Sequence, residues 1–197
     1  MTAELSILTK LQTKLTALPG ITKKQAEKII THLLKTAKSE IEELVTSLKE
    51  VKASVDFCPK CNFLRHNESC LNCDQVHNPK IIVTESIAAV QKLKQMDFFD
   101  GYFYVLPTLF TNKTKPIKES EKETQHLINF LLFKEIQDVI IVLSPTIDGE
   151  ITTYRLMELL SEANFKVSRA AIGMPVNSNL DYLDTFTIKQ AIENRTK

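Results

Sequence analysis

Apolar residues in the first fifty positions recur at three- and four-residue steps, which is the spacing of one face of an α-helix. One such run covers 5–18 and ends at Pro19-Gly20, and a second covers 26–34. Ser39 is predicted to open a third helix, with Glu42 completing a capping box. The apolar stripe of this third helix comprises Ile41, Leu44, Val45, Leu48 and Val51. The segment is therefore predicted to fold as helix, short hairpin, helix, helix.

Beyond position 80 the pattern changes to short apolar runs separated by amphipathic segments. The runs predict strands at 81–84, 102–106, 139–143 and 166–171. The intervening segments have helical spacing. Strands that alternate with helices indicate a mainly parallel sheet covered by helices, so the predicted fold class is α/β with an N-terminal helical module.

All four cysteines of the 197-residue chain lie between these two regions. They form the pattern C-x2-C-x8-C-x2-C and are Cys58, Cys61, Cys70 and Cys73. Two residues between cysteines allow a tight turn that directs both sulfurs at one point, so the pattern predicts a closed, tetrahedral and structural zinc site. The polar residues of the two turns are predicted to lie at the surface: Lys60, Asn62, Asn72 and Asp74.

Three other uses of the cysteines fit less well. Two disulfides would require an oxidising compartment, and no apolar leader segment follows the N-terminus. A redox C-x-x-C motif explains one pair and leaves the other without a role. Iron–sulfur clusters also take four thiolates, but their usual spacings differ.

Composition limits the function only in part. The chain has 43% hydrophobic residues and a net charge of +1, which is ordinary for a globular protein. No run approaches the length of a membrane span, so no membrane partner is expected. Because the overall charge is nearly balanced, binding to nucleic acid requires a local cluster of basic residues.

Such a cluster lies at the N-terminal hairpin, 18–26. The Pro-Gly turn precedes a helix N-terminus, where free N–H groups and the helix dipole suit a phosphate. The candidate DNA-binding residues there are Lys23, Lys24 and Lys28. This segment resembles the helix-hairpin-helix module, which grips nucleic-acid backbones without reading sequence. Thr22 stands where that module usually has a second glycine, and its side chain is expected to hinder close approach. The alternative is an ordinary helical hairpin with solvated lysines.

Three acidic residues follow predicted strands. Glu85 comes directly after the first strand, and Asp148 and Glu150 follow the third. Ligands of open α/β sheets bind at this edge, where converging carboxylates could hold Mg²⁺. One glutamate and a later acidic-x-acidic pair resemble the Toprim domain of topoisomerases, primases and some repair proteins. Taken singly, each acid is better explained as a charge that balances a helix dipole.

The order of the modules resembles one family over essentially the whole chain, the bacterial recombination mediator family RecR. The matching segments are Leu18-Pro19-Gly20, His32-Leu33-Leu34, the cysteine spacing, Val83-Thr84-Glu85-Ser86, Pro145-Thr146 with Gly149-Glu150, and Ser168-Arg169 with Gly173-Met174-Pro175-Val176. The implied domains are a helix-hairpin-helix domain at 1–52, a four-cysteine zinc finger at 53–78, a Toprim domain at 79–174 and a C-terminal oligomerisation segment at 175–197.

This resemblance implies a cytoplasmic, nucleoid-associated adaptor that is not an enzyme. It would clamp DNA as a homo-oligomer, a dimer or tetramer, and work with RecO and RecF to load RecA at gaps. Lys24 and Lys28 fall where the family carries DNA-contacting residues, and Asp148 with Glu150 matches an acidic pair implicated in partner binding. Two other functions stay open: a Mg²⁺-dependent nucleic-acid enzyme that uses Glu85, and a protein scaffold that has lost DNA affinity.

Overall fold

The computed structural model of the chain describes residues 3–110 and 117–195. Predicted segments that extend into 1–2, 111–116 and 196–197 lie outside these residues. The chain divides into two compact units, Met1–Ser54 and Val55–Lys197. The finer division into four domains stays a prediction.

The first unit consists of three helices, α1 Ala3–Thr16, α2 Lys23–Leu33 and α3 Lys38–Ser54. The predicted order of helix, hairpin, helix, helix is thus found. Helix α2 buries Ala26 and Ile30, and Gln12 Nε2 of α1 donates to Glu27 Oε1 of α2 over 3.0 Å. No residue within Lys38–Ser54, all of which is described, is buried, so the apolar stripe of α3 faces solvent in a single chain.

The predicted capping box at Ser39 is wrong, because α3 already begins at Lys38 and Ser39 lies inside its first turn. A capping box occurs instead at Thr22, the N-cap of α2. Thr22 Oγ1 accepts from Gln25 N over 3.3 Å, and Gln25 Oε1 accepts from Thr22 N over 2.8 Å. A threonine at this position therefore stabilises the start of α2, since its capping box with Gln25 satisfies two N–H groups there.

The second unit begins with a small antiparallel sheet in the order β1-β2-β3, formed by β1 Val55–Phe57, β2 Leu64–His66 and β3 Ser69–Cys70. The two cysteine turns flank this sheet. One joins β1 to β2, and the other follows β3. The pairing of these strands brings the two turns close together.

The larger sheet has four parallel strands in the order β5-β4-β6-β7. These are β4 Asn78–Thr84, β5 Gly101–Val105, β6 Asp138–Ile141 and β7 Lys166–Arg169. They alternate with α4 Ile87–Gln95, α5 Ile117–Phe133 and α6 Ile147–Glu162. The predicted α/β class and parallel sheet are confirmed.

The core of this unit lies between the sheet and its helices. Ile81, Val83 and Val139 are fully buried on the strands, as are Leu127 of α5 and Leu156 of α6. Each such side chain contributes about 1.5–3 kcal/mol relative to an exposed one. This packing fixes the carboxyl edge of the sheet, where β4 is flanked by β5 on one side and β6 on the other. The chain changes direction there, which makes it the switch point where α/β proteins bind ligands.

The C-terminal segment contains a short 3-10 helix, Leu180–Tyr182, and a last helix, α7 Thr185–Glu193. Asp184 caps α7 and accepts from the backbone N–H and the hydroxyl of Thr187 over 2.9 and 2.7 Å. Val176 and Tyr182 are almost fully exposed. No helix in the described part of the chain has the length and apolarity that a membrane crossing requires.

Candidate functional site

The thiols of the four cysteines converge at one buried point. Cys58 Sγ lies 3.8 Å from Cys73 Sγ, and Cys61 Sγ lies 3.7 Å from Cys70 Sγ. All four sulfurs lie within 4.8 Å of one another, and the cysteines form no disulfide. Sulfurs at the corners of a tetrahedron with metal–sulfur bonds of about 2.3 Å are about 3.8 Å apart. The arrangement therefore fits one tetrahedral metal ion.

Each C-x2-C turn directs a backbone N–H at its first sulfur. Lys60 N donates to Cys58 Sγ over 3.4 Å, and Cys73 N donates to Cys70 Sγ over 3.3 Å. Asn62 adopts a left-handed conformation with φ 58°, which asparagine tolerates better than most residues. Such N–H groups stabilise the negative charge of a thiolate, so the turns prepare the sulfurs to act as ligands.

The thiols perturb one another strongly. A hydrogen bond with Cys73 lowers the pKa of Cys61 to about 5, whereas burial raises the pKa of Cys70 to about 11. The pKa of Cys73 is raised by its hydrogen bond with Cys61 and by burial. Four thiolates this close repel each other, so a cation is needed before all four can ionise.

The donor set fits zinc. Four buried thiolates complete a tetrahedral shell and leave no position open for a substrate, which is the pattern of a structural site. Among the side chains that the structure describes, the cysteines are also the only group of three or more His, Cys, Asp or Glu residues placed to share a metal.

Asn72 joins the second cysteine turn to the edge of the large sheet. The predicted surface position of Asn72 is wrong, because its exposed fraction is 0%. Its side chain accepts from Phe103 N over 2.9 Å and donates to Phe103 O over 3.0 Å. Phe103 lies on β5, an edge strand whose outward N–H and C=O groups have no neighbouring strand. The Asn72 amide therefore takes the place of a strand residue.

The first cysteine turn continues this pairing two residues further along β5. Val105 N donates to Cys61 O over 3.0 Å, and Asn62 Nδ2 donates to Val105 O over 3.0 Å. Residues 103 and 105 point their backbone groups to the same side of the strand. The cysteine module thus covers the open edge of the sheet, which protects it from pairing with another chain.

Helix α5 holds both cysteine turns from a second direction. His126 Nε2 donates to Pro59 O over 2.8 Å, and the Tyr104 hydroxyl donates to His126 Nδ1 over 2.6 Å. Lys134 Nζ donates to Cys73 O over 2.6 Å. These contacts fix the module on the α/β sheet, so the cysteine cluster is built into the second unit.

The hairpin of the first unit presents the three candidate lysines to solvent. Lys23, Lys24 and Lys28 are exposed, and none forms an ion pair with another described residue. Gly20 supplies the turn with φ 79°, a conformation that favours glycine. The N–H groups of Thr22 and Gln25 are occupied by the capping box, which leaves those of Lys23 and Lys24 at the helix start.

Glu85 follows β4 at the switch point of the large sheet, as the sequence predicts. Its Oε1 accepts a short hydrogen bond from the Ser144 hydroxyl, and its Oε2 accepts from Ser144 N over 3.4 Å. Ser144 belongs to the loop after β6. Both carboxylate oxygens of Glu85 therefore already have protein donors.

Asp148 and Glu150 lie in the first turn of α6, which Thr146 caps through Gly149 N over 3.1 Å. A β-carbon at Gly149 would collide with Ser144 O, so this turn requires glycine. Asp148 is exposed, whereas Glu150 is half-buried and paired with Arg169. Arg169 Nη2 and Nη1 donate to Glu150 Oε1 and Oε2 over 2.8 and 2.9 Å.

The three acids do not fit a magnesium site. Two of them already use their oxygens, Glu85 with Ser144 and Glu150 with Arg169, and only Asp148 is exposed with no partner among the described residues. Mg²⁺ keeps several of its water molecules and is usually held through one or two carboxylates whose oxygens are available. The predicted Mg²⁺ ligand set is therefore not supported.

The parallel sheet with acids at its carboxyl edge defines a Toprim-type protein, and the Toprim domain model matches residues 79–171. A second family model, described as RecR, C-terminal, matches residues 173–196. The chain belongs to the RecR family of recombination proteins. As a member of that family it is a recombination protein and not an enzyme, as the resemblance implied.

Relatives named Recombination protein RecR resemble the chain over most of its length. The protein of Mycoplasmopsis pulmonis is 33% identical over 181 residues, which are 90% of this chain and 92% of that protein. That of Amoebophilus asiaticus is 31% identical over 184 residues, 92% of each chain. The Bifidobacterium animalis subsp. lactis protein is 33% identical over 181 residues, 91% of this chain and 90% of its own.

Sequence reasoning missed several residues that build these sites. Asn72 and His126 contact segments 31 and 67 residues away, and no local pattern specifies such partners. The pairing of Arg169 with Glu150 also depends on tertiary structure, since it joins the end of β7 to the start of α6. Only the capping role of Thr22 could have been predicted from the sequence, because Gln25 follows it at capping-box spacing.

Proposed function

We propose that this chain is a DNA-binding adaptor of recombinational repair in a RecFOR-type pathway. It clamps DNA as an oligomer and works with RecO- and RecF-type proteins to load RecA at gaps. The observation that carries the proposal is the relationship to recombination proteins named RecR over about nine-tenths of the chain. The coarser role in recombination comes from the family, and the DNA clamp and loading steps are the proposed part.

The DNA contact is assigned to the hairpin of the first unit. Lys23, Lys24 and Lys28 lie exposed at the start of α2, where the helix dipole adds to their positive charge. Lysines and backbone N–H groups bind phosphates without reading base sequence. We therefore expect DNA binding that is sensitive to salt and indifferent to sequence.

A protein scaffold without DNA affinity is the second candidate, and one observation favours it. The capping box at Thr22 engages the N–H groups of Thr22 and Gln25, and the threonine side chain stands beside the turn. Fewer donors are then available to a phosphate. The two candidates differ in whether the isolated chain binds DNA at all.

DNA affinity measured across a salt series separates them. Fluorescence anisotropy of labelled duplex DNA would be followed for the zinc-loaded chain and for a triple variant, Lys23→Glu, Lys24→Glu and Lys28→Glu. The slope of log K against log salt is negative, and each lost phosphate contact reduces its magnitude by about 0.9. The slope of the triple variant should therefore be smaller in magnitude than that of the wild type by about three.

The matched control carries the same change in charge on α3, at Lys38, Lys49 and Lys52, which are also exposed. We expect this control to keep most of the wild-type salt slope. Equal loss in both triple variants would indicate an effect of net charge and contradict the hairpin assignment. A wild-type chain with no DNA affinity at low salt would favour the scaffold.

The cysteine module is proposed to hold one structural zinc ion through Cys58, Cys61, Cys70 and Cys73. Sulfur separations of 3.7 and 3.8 Å support this assignment, since they match tetrahedral zinc–thiolate geometry. Metal analysis of the purified chain should give one zinc per chain. A clearly lower content in a folded, freshly purified protein would contradict it.

Self-association is proposed on the basis of exposed apolar surface. The α3 stripe has Leu44, Leu48 and Val51 each at least half exposed, and the C-terminal segment exposes Val176 and Tyr182. Covering such surfaces in a homodimer or homotetramer would remove them from water. The expected mass is two or four times 22.4 kDa.

The acidic edge is proposed as the contact for a partner repair protein of the RecO type. Asp148 is exposed and has no ion pair among the described residues, so it is available to a basic side chain of the partner. Glu85 and Glu150 lie at the same edge, but internal donors already engage them. We expect Asp148→Ala to weaken binding of the partner protein more than Glu85→Gln does. Because DNA is the proposed ligand, the proposed location is the cytoplasm, at the nucleoid.

A further inference from the structure

Arg169 is a basic residue at the acidic edge of the large sheet. It is the last residue of β7 and pairs in register with Ile141, the last residue of β6. It therefore emerges at the carboxyl edge of the parallel sheet. This is the edge that carries the three acids of the Toprim pattern.

The Arg169 guanidinium binds Glu150 with two hydrogen bonds of 2.8 and 2.9 Å, one to each carboxylate oxygen. Side-chain exposure is 25% for Arg169 and 21% for Glu150, so water screens the pair less than it screens a surface pair. The guanidinium also lies 5.9 Å from the ring of Tyr154, one helical turn after Glu150. Two contacts from α6 thus fix Arg169 in place.

This arrangement keeps a permanent positive charge beside the acidic pair of Asp148 and Glu150. Hydrogen bonding to Glu150 raises the pKa of Arg169 further above its ordinary value, so the guanidinium stays charged at every physiological pH. Ser144 meanwhile donates to both oxygens of Glu85. Of the three acids, only Asp148 keeps its carboxylate available among the described residues.

We propose that Arg169 is the resident counter-ion of this sheet edge, and that it takes the place of a divalent cation. A bidentate guanidinium satisfies both oxygens of Glu150 and supplies the charge that Mg²⁺ would supply. Mg²⁺ keeps several water molecules and binds through one or two available carboxylates, and it would have to displace Arg169 from a half-buried pair. This inference concerns metal binding alone and does not depend on the proposed DNA clamp.

The test measures the affinity of the zinc-loaded full chain for Mn²⁺, used as a paramagnetic probe of the magnesium site. Free Mn²⁺ is counted by electron paramagnetic resonance during a titration. Wild type and Glu150→Gln should bind Mn²⁺ equally weakly. Arg169→Ala should bind at least about tenfold more tightly, because it releases both Glu150 oxygens and removes a nearby positive charge.

Two further variants identify the site of the gain. Arg169→Ala combined with Glu150→Gln should return to the wild-type affinity. Arg155→Ala is the matched control, since Arg155 also pairs with a glutamate of α6, Glu158, but away from the sheet edge. It should behave as wild type. If Arg169→Ala fails to fold, Arg169→Gln removes the charge while keeping a polar side chain.

Three outcomes would overturn the proposal. One is wild-type binding that Glu150→Gln weakens, because Glu150 would then already bind the metal. Another is no gain in folded Arg169→Ala or Arg169→Gln. The third is a gain that persists in the double variant. If no Arg169 variant folds, the comparison of wild type with Glu150→Gln alone decides.

Discussion

Replacing Asn72 with alanine tests how much the Asn72 amide contributes to the docking of the cysteine module on the sheet edge. The substitution removes both hydrogen bonds to Phe103, of 2.9 and 3.0 Å, and leaves the N–H and C=O of that residue without partners. Phe103 is 2% exposed, so water cannot replace the amide without a rearrangement.

The expected loss follows from the two backbone groups left unpaired. Each buried, unsatisfied group costs about 1–3 kcal/mol, so the free energy of unfolding should fall by about 3 kcal/mol. In a unit of this size, 1 kcal/mol lowers Tm by about 2–4 °C, so the expected fall is roughly 10 °C. Asn72→Asp should cost at least as much, because its carboxylate would face Phe103 O and the sulfur of Cys73.

Two measurements on the zinc-loaded chain separate this effect from a general loss of stability. Urea unfolding gives the free energy, and hydrogen exchange of the Phe103 amide reports on the edge itself. Asn129→Ala is the matched control, since Asn129 is exposed on α5 and its side chain accepts a hydrogen bond from Gln125 within its own helix. It should change stability by less than about 0.5 kcal/mol. An Asn72→Ala chain as stable as this control, with an equally protected Phe103 amide, would refute the docking role.

Three further predictions concern other sites. Cys70→Ser should weaken zinc binding and disrupt folding or assembly before it affects DNA contact, since zinc ligation contributes on the order of 10 kcal/mol of apparent stability. A Cys70→Ser variant that folds, assembles and binds DNA normally would contradict this prediction. Thr22→Gly should free the Gln25 N–H for a phosphate and tighten DNA binding by up to about tenfold. The loss of the helix cap should cost a few tenths of a kcal/mol of stability. Unchanged or weaker DNA affinity in the salt-series titration would argue against steric hindrance by the Thr22 side chain. The Thr187 hydroxyl and amide lower the pKa of Asp184. The contribution of the Asp184 carboxylate to the stability of α7 is therefore present above the ordinary pKa near 4 and is lost as the pH falls through the lower folded value. NMR shifts of α7 should follow this titration in the wild type and not in Asp184→Asn.

Much of the fold follows from local patterns. The leucine spacing of 5–18 and the apolar run 139–143 specify a helix and a strand because burial needs only the correct period. The cysteine spacing likewise predicts the convergence of the four sulfurs, since two short turns place them with little help from the rest of the chain. Glu85 and Asp148 lie at the predicted sheet edge because parallel strands end together.

The remaining features depend on contacts between distant segments. Asn72 has the composition of a surface turn, and only its distance to Phe103 shows that it is a buried strand substitute. The cap expected at Ser39 had suitable residues, but the helix begins one residue earlier, at Lys38. The Toprim acids suggested a metal, whereas Arg169 on another strand already neutralises Glu150. Local sequence does not encode these partners.

The most direct test of the DNA-clamp proposal is the mass of the zinc-loaded chain in solution, measured by light scattering during gel filtration, with and without duplex DNA. We expect two or four chains of 22.4 kDa without DNA, and a complex with DNA that persists at near-physiological salt. A single chain whose mass and elution DNA leaves unchanged would contradict both the assembly and the clamp.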